Sequence, residues 1–191
     1  MPFYIRNGMR LSGIRVCVLA GPDYEDLELH YPMIRLAEEG ASVRVAGPSK
    51  GVYRGKHGLT VEADLSIGEC RVGDFDILVI PGGWAPDRLR RIPEVVSFVR
   101  DFFLSGRIVA SICHGPQILI SARVLGKVRL TCTPAIKDDV INAGGIYEDS
   151  PVVVDGNLVT SRNPGDLPHF CRAIIELASG RMAQNVRSET A

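Results

Sequence analysis

The strongest constraint on this chain is a set of short, nearly uninterrupted apolar runs with no polar face of their own. Ile14–Ala20 (IRVCVLA) is β-rich and stops at Gly21-Pro22, the pattern of a strand covered on both sides in a parallel sheet. Similar runs recur at Ser42–Ala46, Asp76–Ile80 and Ile108–Cys113. Between them the apolar period changes to a helical one. Leu27, Tyr31, Ile34 and Ala37 share a face from Glu25 to Glu39, closed by Gly40, with Pro32 expected to bend or restart the helix. Val95, Val96, Val99, Phe102 and Phe103 mark a helix over Pro93–Leu104, and two more are expected over His114–Val124 and Asp166–Ala178.

Strand and helix therefore alternate, which predicts an α/β fold of flavodoxin-like type: a parallel sheet with helices on both faces. Two departures are local. Gly51–Ala63 reads as a hairpin or a pair of short extended segments, and Val152–Ser161 carries Asp155-Gly156 between β-rich runs, a small β-hairpin. With 191 residues, a single domain over 13–180 is expected, preceded by a leader at 1–12 and followed by a frayed tail at 181–191.

Lys plus Arg (22) cancel Asp plus Glu (22). The chain thus lacks the net field that draws proteins to nucleic acid or anionic membranes, and no apolar run approaches the ~18 residues of a membrane helix. Neither partner is expected. The five cysteines, Cys17, Cys70, Cys113, Cys132 and Cys171, are odd in number and lack CxxC spacing. That favours a reducing, cytoplasmic setting with no metal.

Chemistry concentrates at Arg107–Gln117 (RIVASICHGPQ), where a strand ends at Cys113 and a helix starts almost at once. Such a nucleophile elbow lifts a side chain to the carboxyl end of the sheet, where open α/β folds bind ligands, and Gly115 permits the close backbone approach. Helix-terminal N–H groups are expected to ease proton loss from the Cys113 thiol. A small buried hydrophobe is the bland alternative, and it is preferred for Cys17, Cys132 and Cys171. Pro81-Gly82-Gly83 follows another strand, so the Gly83 and His114 N–H groups make a plausible oxyanion hole. A plain glycine turn is the alternative.

The segments Tyr24–Pro32 (YEDLELHYP), Gly55–Gly58 (GKHG), Ile80–Pro86 (IPGGWAP), Ala110–Gln117 (ASICHGPQ), Ala135–Asp139 (AIKDD) and Val154–Asn157 (VDGN), the last followed by Ser161-Arg162, are together specific. Through them the chain resembles the ThiJ/PfpI superfamily of class I glutamine-amidotransferase-like domains, closest to the PfpI branch, over nearly all of 14–178. The resemblance implies Cys113 as nucleophile and Glu28 as the carboxyl that hydrogen-bonds its sulfur. Glu25 would line the same pocket, although acidic residues also simply favour a helix's first turn. His114 becomes the candidate base, with an acidic partner from a neighbouring subunit at Asp87, where the family's usual residue is one methylene longer; a solvated acid is the alternative there. Thr133 stands where relatives often carry tyrosine, and Trp84 is a candidate pocket wall or subunit contact.

The resemblance implies a cofactor-independent cysteine enzyme acting on reactive carbonyls, as a glyoxalase III-like or deglycase hydrolase, and a homo-oligomer, dimer or hexamer. A PfpI-type intracellular cysteine peptidase is the second reading, with a peptide as substrate. A redox sensor or stress chaperone built on Cys113 is the third. An amidotransferase fits less well, because no distant His-x-Glu pair completes its triad.

Overall fold

The computed structural model describes residues 9–189, with side chains for 9–181. In chain order the elements are β1 (Arg15–Leu19), α1 (Asp26–Glu38), β2 (Ser42–Gly47), β3 (Gly51–Arg54), β4 (Thr60–Ala63), β5 (Leu65–Ser66), β6 (Ile77–Ile80), α2 (Ala85–Leu89), α3 (Pro93–Leu104), β7 (Ile108–Ile112), α4 (Pro116–Ser121), β8 (Arg129–Leu130), α5 (Lys137–Asn142), β9 (Ile146–Tyr147), β10 (Val153–Asp155), β11 (Leu158–Ser161) and α6 (Leu167–Glu189).

Seven strands form the central sheet in the order β10-β11-β7-β6-β1-β2-β5. Every neighbouring pair is parallel except β10 with β11, the expected hairpin at one edge. The second expected hairpin is β3 with β4, pairing Gly51 with Ala63 and Arg54 with Thr60. Every residue of β6 and β7 is buried, which is why these strands read as continuous apolar runs rather than as alternation.

From β1 the chain crosses to β2 on one side, whereas β6, β7 and β11 follow one another on the other side. Right-handed crossovers then place α1 and α3 on opposite faces. The packing agrees: α1 meets α6, while α3 and α2 meet α4. The reversal of strand order falls between β1 and β6 and opens a crevice at their carboxyl ends.

Helix α1 departs from its expected stripe. Leu27 (54 %) and Ile34 (64 %) face solvent with Tyr31, while Asp26, Glu28, Leu29, Pro32 and Leu36 are buried. Two buried acids shift the inward face by nearly half a turn, so apolar periodicity alone reports the wrong side. Pro32 lies inside one helix that is continuous from Asp26 to Glu38. Helix α4 is shorter than expected, because residues 113–115 form the turn before it. The tail expected to fray from Arg181 instead continues α6 to Glu189. Of the expected leader, residues 1–8 lie outside the described residues, while Leu11 is fully buried and its N–H donates to the Glu39 carbonyl at 2.8 Å.

Candidate active site

Three connections converge at the crevice: residues 20–25 after β1, 81–84 after β6 and 113–115 after β7. Cys113 adopts φ +61°, the left-handed region that an L-residue enters at a cost. Its carbonyl accepts from the Thr133 N–H at 3.1 Å and its own N–H donates to the Ser161 carbonyl at 3.0 Å, which pins the strained turn. The floor is closed to side chains. A Cβ on Gly115 would lie 2.5 Å from both the Ile80 carbonyl oxygen and Ser111 Oγ. One on Gly82 would lie 2.6 Å from Glu28 Oε2 and 2.8 Å from the Cys113 Cβ.

Glu28 is 0 % exposed, and its Oε2 accepts from the Gly82 N–H at 2.8 Å. Its Oε1 is buried with no hydrogen-bond partner among the described residues. Burial, reinforced by the neighbouring Glu25 carboxylate, pushes the Glu28 carboxyl up to about 8 despite the Gly82 N–H and Cys113. At neutral pH it is therefore mostly a neutral acid with a proton to donate.

Cys113 corrects the expectation of an acidic thiol. Burial first, then the nearby Glu28 carboxylate, push the thiol up to about 12. The N–H groups of His114 and Gly83 favour the sulfur anion but are outweighed. The six-residue α4 supplies too little dipole to offset burial beside a carboxylate. The two groups titrate as a pair, and protonating Glu28 removes the part of the thiol's shift that comes from its charge.

The proton has an acceptor nearby. His114 Nδ1 lies 3.3 Å from Cys113 Sγ. Burial, with Lys56 as a second cause, lowers the imidazole from its usual value, so it is neutral and able to act as a base. The Trp84 ring, 62 % exposed, stands 6.2 Å from the His114 ring, centroid to centroid, and walls one side. A cleft of about 350 Å³ is lined by Trp84, Asp87, His114, Gln117 and Asp139, among others.

Asp87 thus borders the same cleft as His114 of its own chain, and its hydrogen-bond partner is Arg91, one turn along. No hydrogen bond joins it to His114 among the described residues. Glu25 is buried at the start of α1 and pairs with Lys56 Nζ at 2.5 Å, with His57 Nε2 at 3.6 Å. Thr133 supports the elbow through its backbone.

Lys56 and Asp26 are the contributors that residue-by-residue reading missed. The Asp26 carboxylate accepts from the His57 N–H at 2.9 Å and the Leu59 N–H at 2.7 Å. Against the cost of burial, these donors hold it below the usual carboxylate range. The Lys56 N–H donates to the Tyr24 carbonyl at 3.0 Å. The β3–β4 turn is thereby strapped to the start of α1, which places the Lys56 ammonium beside Glu25 and raises its affinity for its proton. The Gly55–Gly58 segment carried the signal, since a Cβ at Gly55 would collide with the Asp26 carboxylate.

The profile of the DJ-1/PfpI family matches residues 14–177. A Pyrococcus abyssi protein named a deglycase is 52% identical over 164 residues, covering 86% of this chain and 99% of its own. A Bacillus subtilis relative whose name assigns it provisionally to the cysteine proteases is 40% identical over 164 residues, covering 85% and 97%. Among solved structures, a two-domain Anabaena variabilis protein with dj-1/thij/pfpi-like and ferritin-like domains superposes with a TM-score of 0.84 at 43% identity. That alignment covers 85% of this chain and 47% of the larger one.

Proposed function

Because this chain belongs to the DJ-1/PfpI family, we propose that it is a cofactor-independent cysteine enzyme that acts on reactive carbonyl compounds, with Cys113 as nucleophile. The observation that carries this reading is the elbow itself: a thiol held at φ +61° with His114 Nδ1 3.3 Å from its sulfur and the buried Glu28 carboxyl beneath. A structural cysteine requires neither the strained backbone nor two titrating neighbours.

For an α-oxoaldehyde such as methylglyoxal the steps follow from these groups. Neutral His114 takes the Cys113 proton as sulfur attacks the aldehyde carbon; the S–C bond forms, and the carbonyl π pair moves to oxygen. The Gly83 and His114 N–H groups receive that oxyanion, and protonation gives a hemithioacetal. A base removes the proton from the former aldehyde carbon while an acid protonates the adjacent carbonyl oxygen, giving an enediol. Glu28 suits this exchange because its pKa near 8 lets it hold or release a proton near neutrality. Reprotonation at the second carbon gives a thioester, and water releases the hydroxy acid and the thiol. Methylglyoxal plus water gives lactate, so the balance needs nothing further.

The deglycase name of the Pyrococcus relative supports this chemistry, since a glycated amine carries the same kind of carbonyl-derived adduct. The protease-type name of the Bacillus relative favours a peptidase as the second reading, with Cys113, His114 and Asp87 in the roles. Purified protein assayed side by side for methylglyoxal loss with lactate formation and for cleavage of fluorogenic peptides separates the two. Lactate formation that disappears in Cys113→Ala supports the proposal; peptide cleavage without carbonyl turnover overturns it.

A further inference from the structure

At the amino ends of β1, β6 and β7, the end of the sheet away from Cys113, a half-open cavity of about 240 Å³ lies between the sheet and α6. The length of β7 separates it from the elbow by roughly 20 Å. Its floor is apolar: Ile77, Ile108 and Ala178 are buried, and Ile14 is partly so. Its rim is cationic, formed by Arg107 at the head of β7 and Arg181 on α6. We propose that this cavity is a binding site for a small organic carboxylate, with the carboxylate against Arg107 and Arg181 and the hydrocarbon on the isoleucine floor.

The two arginines lack an acid of their own. Asp76, the carboxylate that borders the cavity, is already held by Arg15. Arg15 Nε donates to Oδ2 at 3.1 Å, Nη2 to Oδ1 at 3.0 Å, and the backbone N–H to Oδ2 at 2.9 Å. Arg107 Nη1 stands 3.8 Å from Asp76 Oδ1, beyond hydrogen-bond reach. Its Nε is buried with no hydrogen-bond partner among the described residues. Arg181 donates through Nη1 to the Gly106 carbonyl at 2.7 Å and through Nη2 to the Gly156 carbonyl at 3.3 Å. Those carbonyls orient the guanidinium and leave its charge uncompensated. The segment 182–188 (MAQNVRS), next on α6, carries no acid to supply. Partial burial works against the Arg181 charge, a cost that an anion offsets. A guanidinium's planar fork matches a carboxylate in two parallel bonds.

Size and lining narrow the ligand. The cavity falls below the ~300 to 1,000 Å³ of a drug-sized pocket, so it suits a chain of a few carbons. A phosphate ion would satisfy the arginines but leave the isoleucines with nothing to cover them, whereas a hydrocarbon tail removes that surface from water. Ala178 and Arg181 follow residue 177, the last that the family profile matches, so part of the wall comes from the continuation of α6. A bound carboxylate would bridge that continuation to the head of β7.

The test is calorimetric titration of the full-length protein with butyrate, with butyramide as the neutral counterpart and inorganic phosphate as the anion without a hydrocarbon. Butyrate should bind at one site per chain, and butyramide and phosphate at least about tenfold more weakly. Hydrogen exchange on the wild-type protein should slow at residues 105–108 and 178–181 when butyrate is added. Arg107→Gln and Arg181→Gln should each weaken butyrate by about tenfold or more, and Arg181→Lys, which keeps the charge, by less. The absence of saturable butyrate binding overturns the proposal. So does phosphate binding as tightly as butyrate, protection confined to residues 82–84 and 113–115 at the elbow, or unaltered affinity in both Gln variants.

Discussion

Cys113 and Glu28 occupy one small volume in which neither ordinary ionisation is comfortable. Replacing Cys113 by Ala or Ser is expected to reduce carbonyl turnover by at least about a thousandfold, while urea unfolding shifts by less than about 1 kcal/mol. The side chain is small and only partly buried, so its loss removes little packing; retained turnover would remove Cys113 from the nucleophile role. Glu28 makes a prediction about pH. Folded, it keeps its proton to about 8; unfolded, only to the ordinary carboxylate range. Between those values the folded state binds the extra proton, so stability present at low pH is lost as pH rises. Glu28→Gln has no such titration. Relative to wild type it should therefore become more stable between about pH 5 and pH 8, by up to a few kcal/mol. Parallel stability curves across that window would show that the carboxyl is already ionised in the fold.

The short connections hold most of what the elements contribute to the site. The Asp26 carboxylate joins α1 to the β3–β4 turn by two N–H bonds. Asp26→Ala is expected to cost about 1 to 3 kcal/mol by leaving those donors without their acceptor, and to expose the 55–59 turn to limited proteolysis. Turnover should fall with it, because Lys56 loses its seat against Glu25. An intact turn with unaltered protease resistance would contradict the strap. The same helix shows what was legible in the sequence. The runs at Ile14–Ala20, Asp76–Ile80 and Ile108–Cys113 announced their strands because burial on both faces leaves no choice of residue. The Asp155-Gly156 turn announced its hairpin. The inward face of α1 was not legible, since Asp26 and Glu28 are buried for partners that lie 31 and 54 residues away in the chain. The position of Cys113 could be read from local order, whereas its proton affinity depends on burial and on Glu28, which only the assembled sheet brings together.

At the scale of the whole molecule, Leu27, Tyr31 and Ile34 on α1 and Trp84 at the cleft leave apolar surface uncovered. We expect a homo-oligomer, a dimer or hexamer, and light scattering at working concentration should report a multiple of 20.8 kDa; a fully active monomer would exclude a shared site. If Asp87 serves the His114 of a neighbour, mixing inactive Asp87→Ala and Cys113→Ala proteins should restore turnover in hybrid assemblies. If it serves its own chain, as the common cleft allows, mixing restores none. The glycine floor has a consequence of a different kind. Positions 82 and 115 have no room for even a methyl group, and Gly83 at φ +80° would set one against the Glu25 backbone. Descent with modification therefore has no route to a new substrate from underneath. Among proteins sharing this elbow, divergence in what is accepted should accumulate at the rim, at Trp84, Gln117 and Asp139, while the floor stays fixed. Libraries that seek a new specificity should be drawn there.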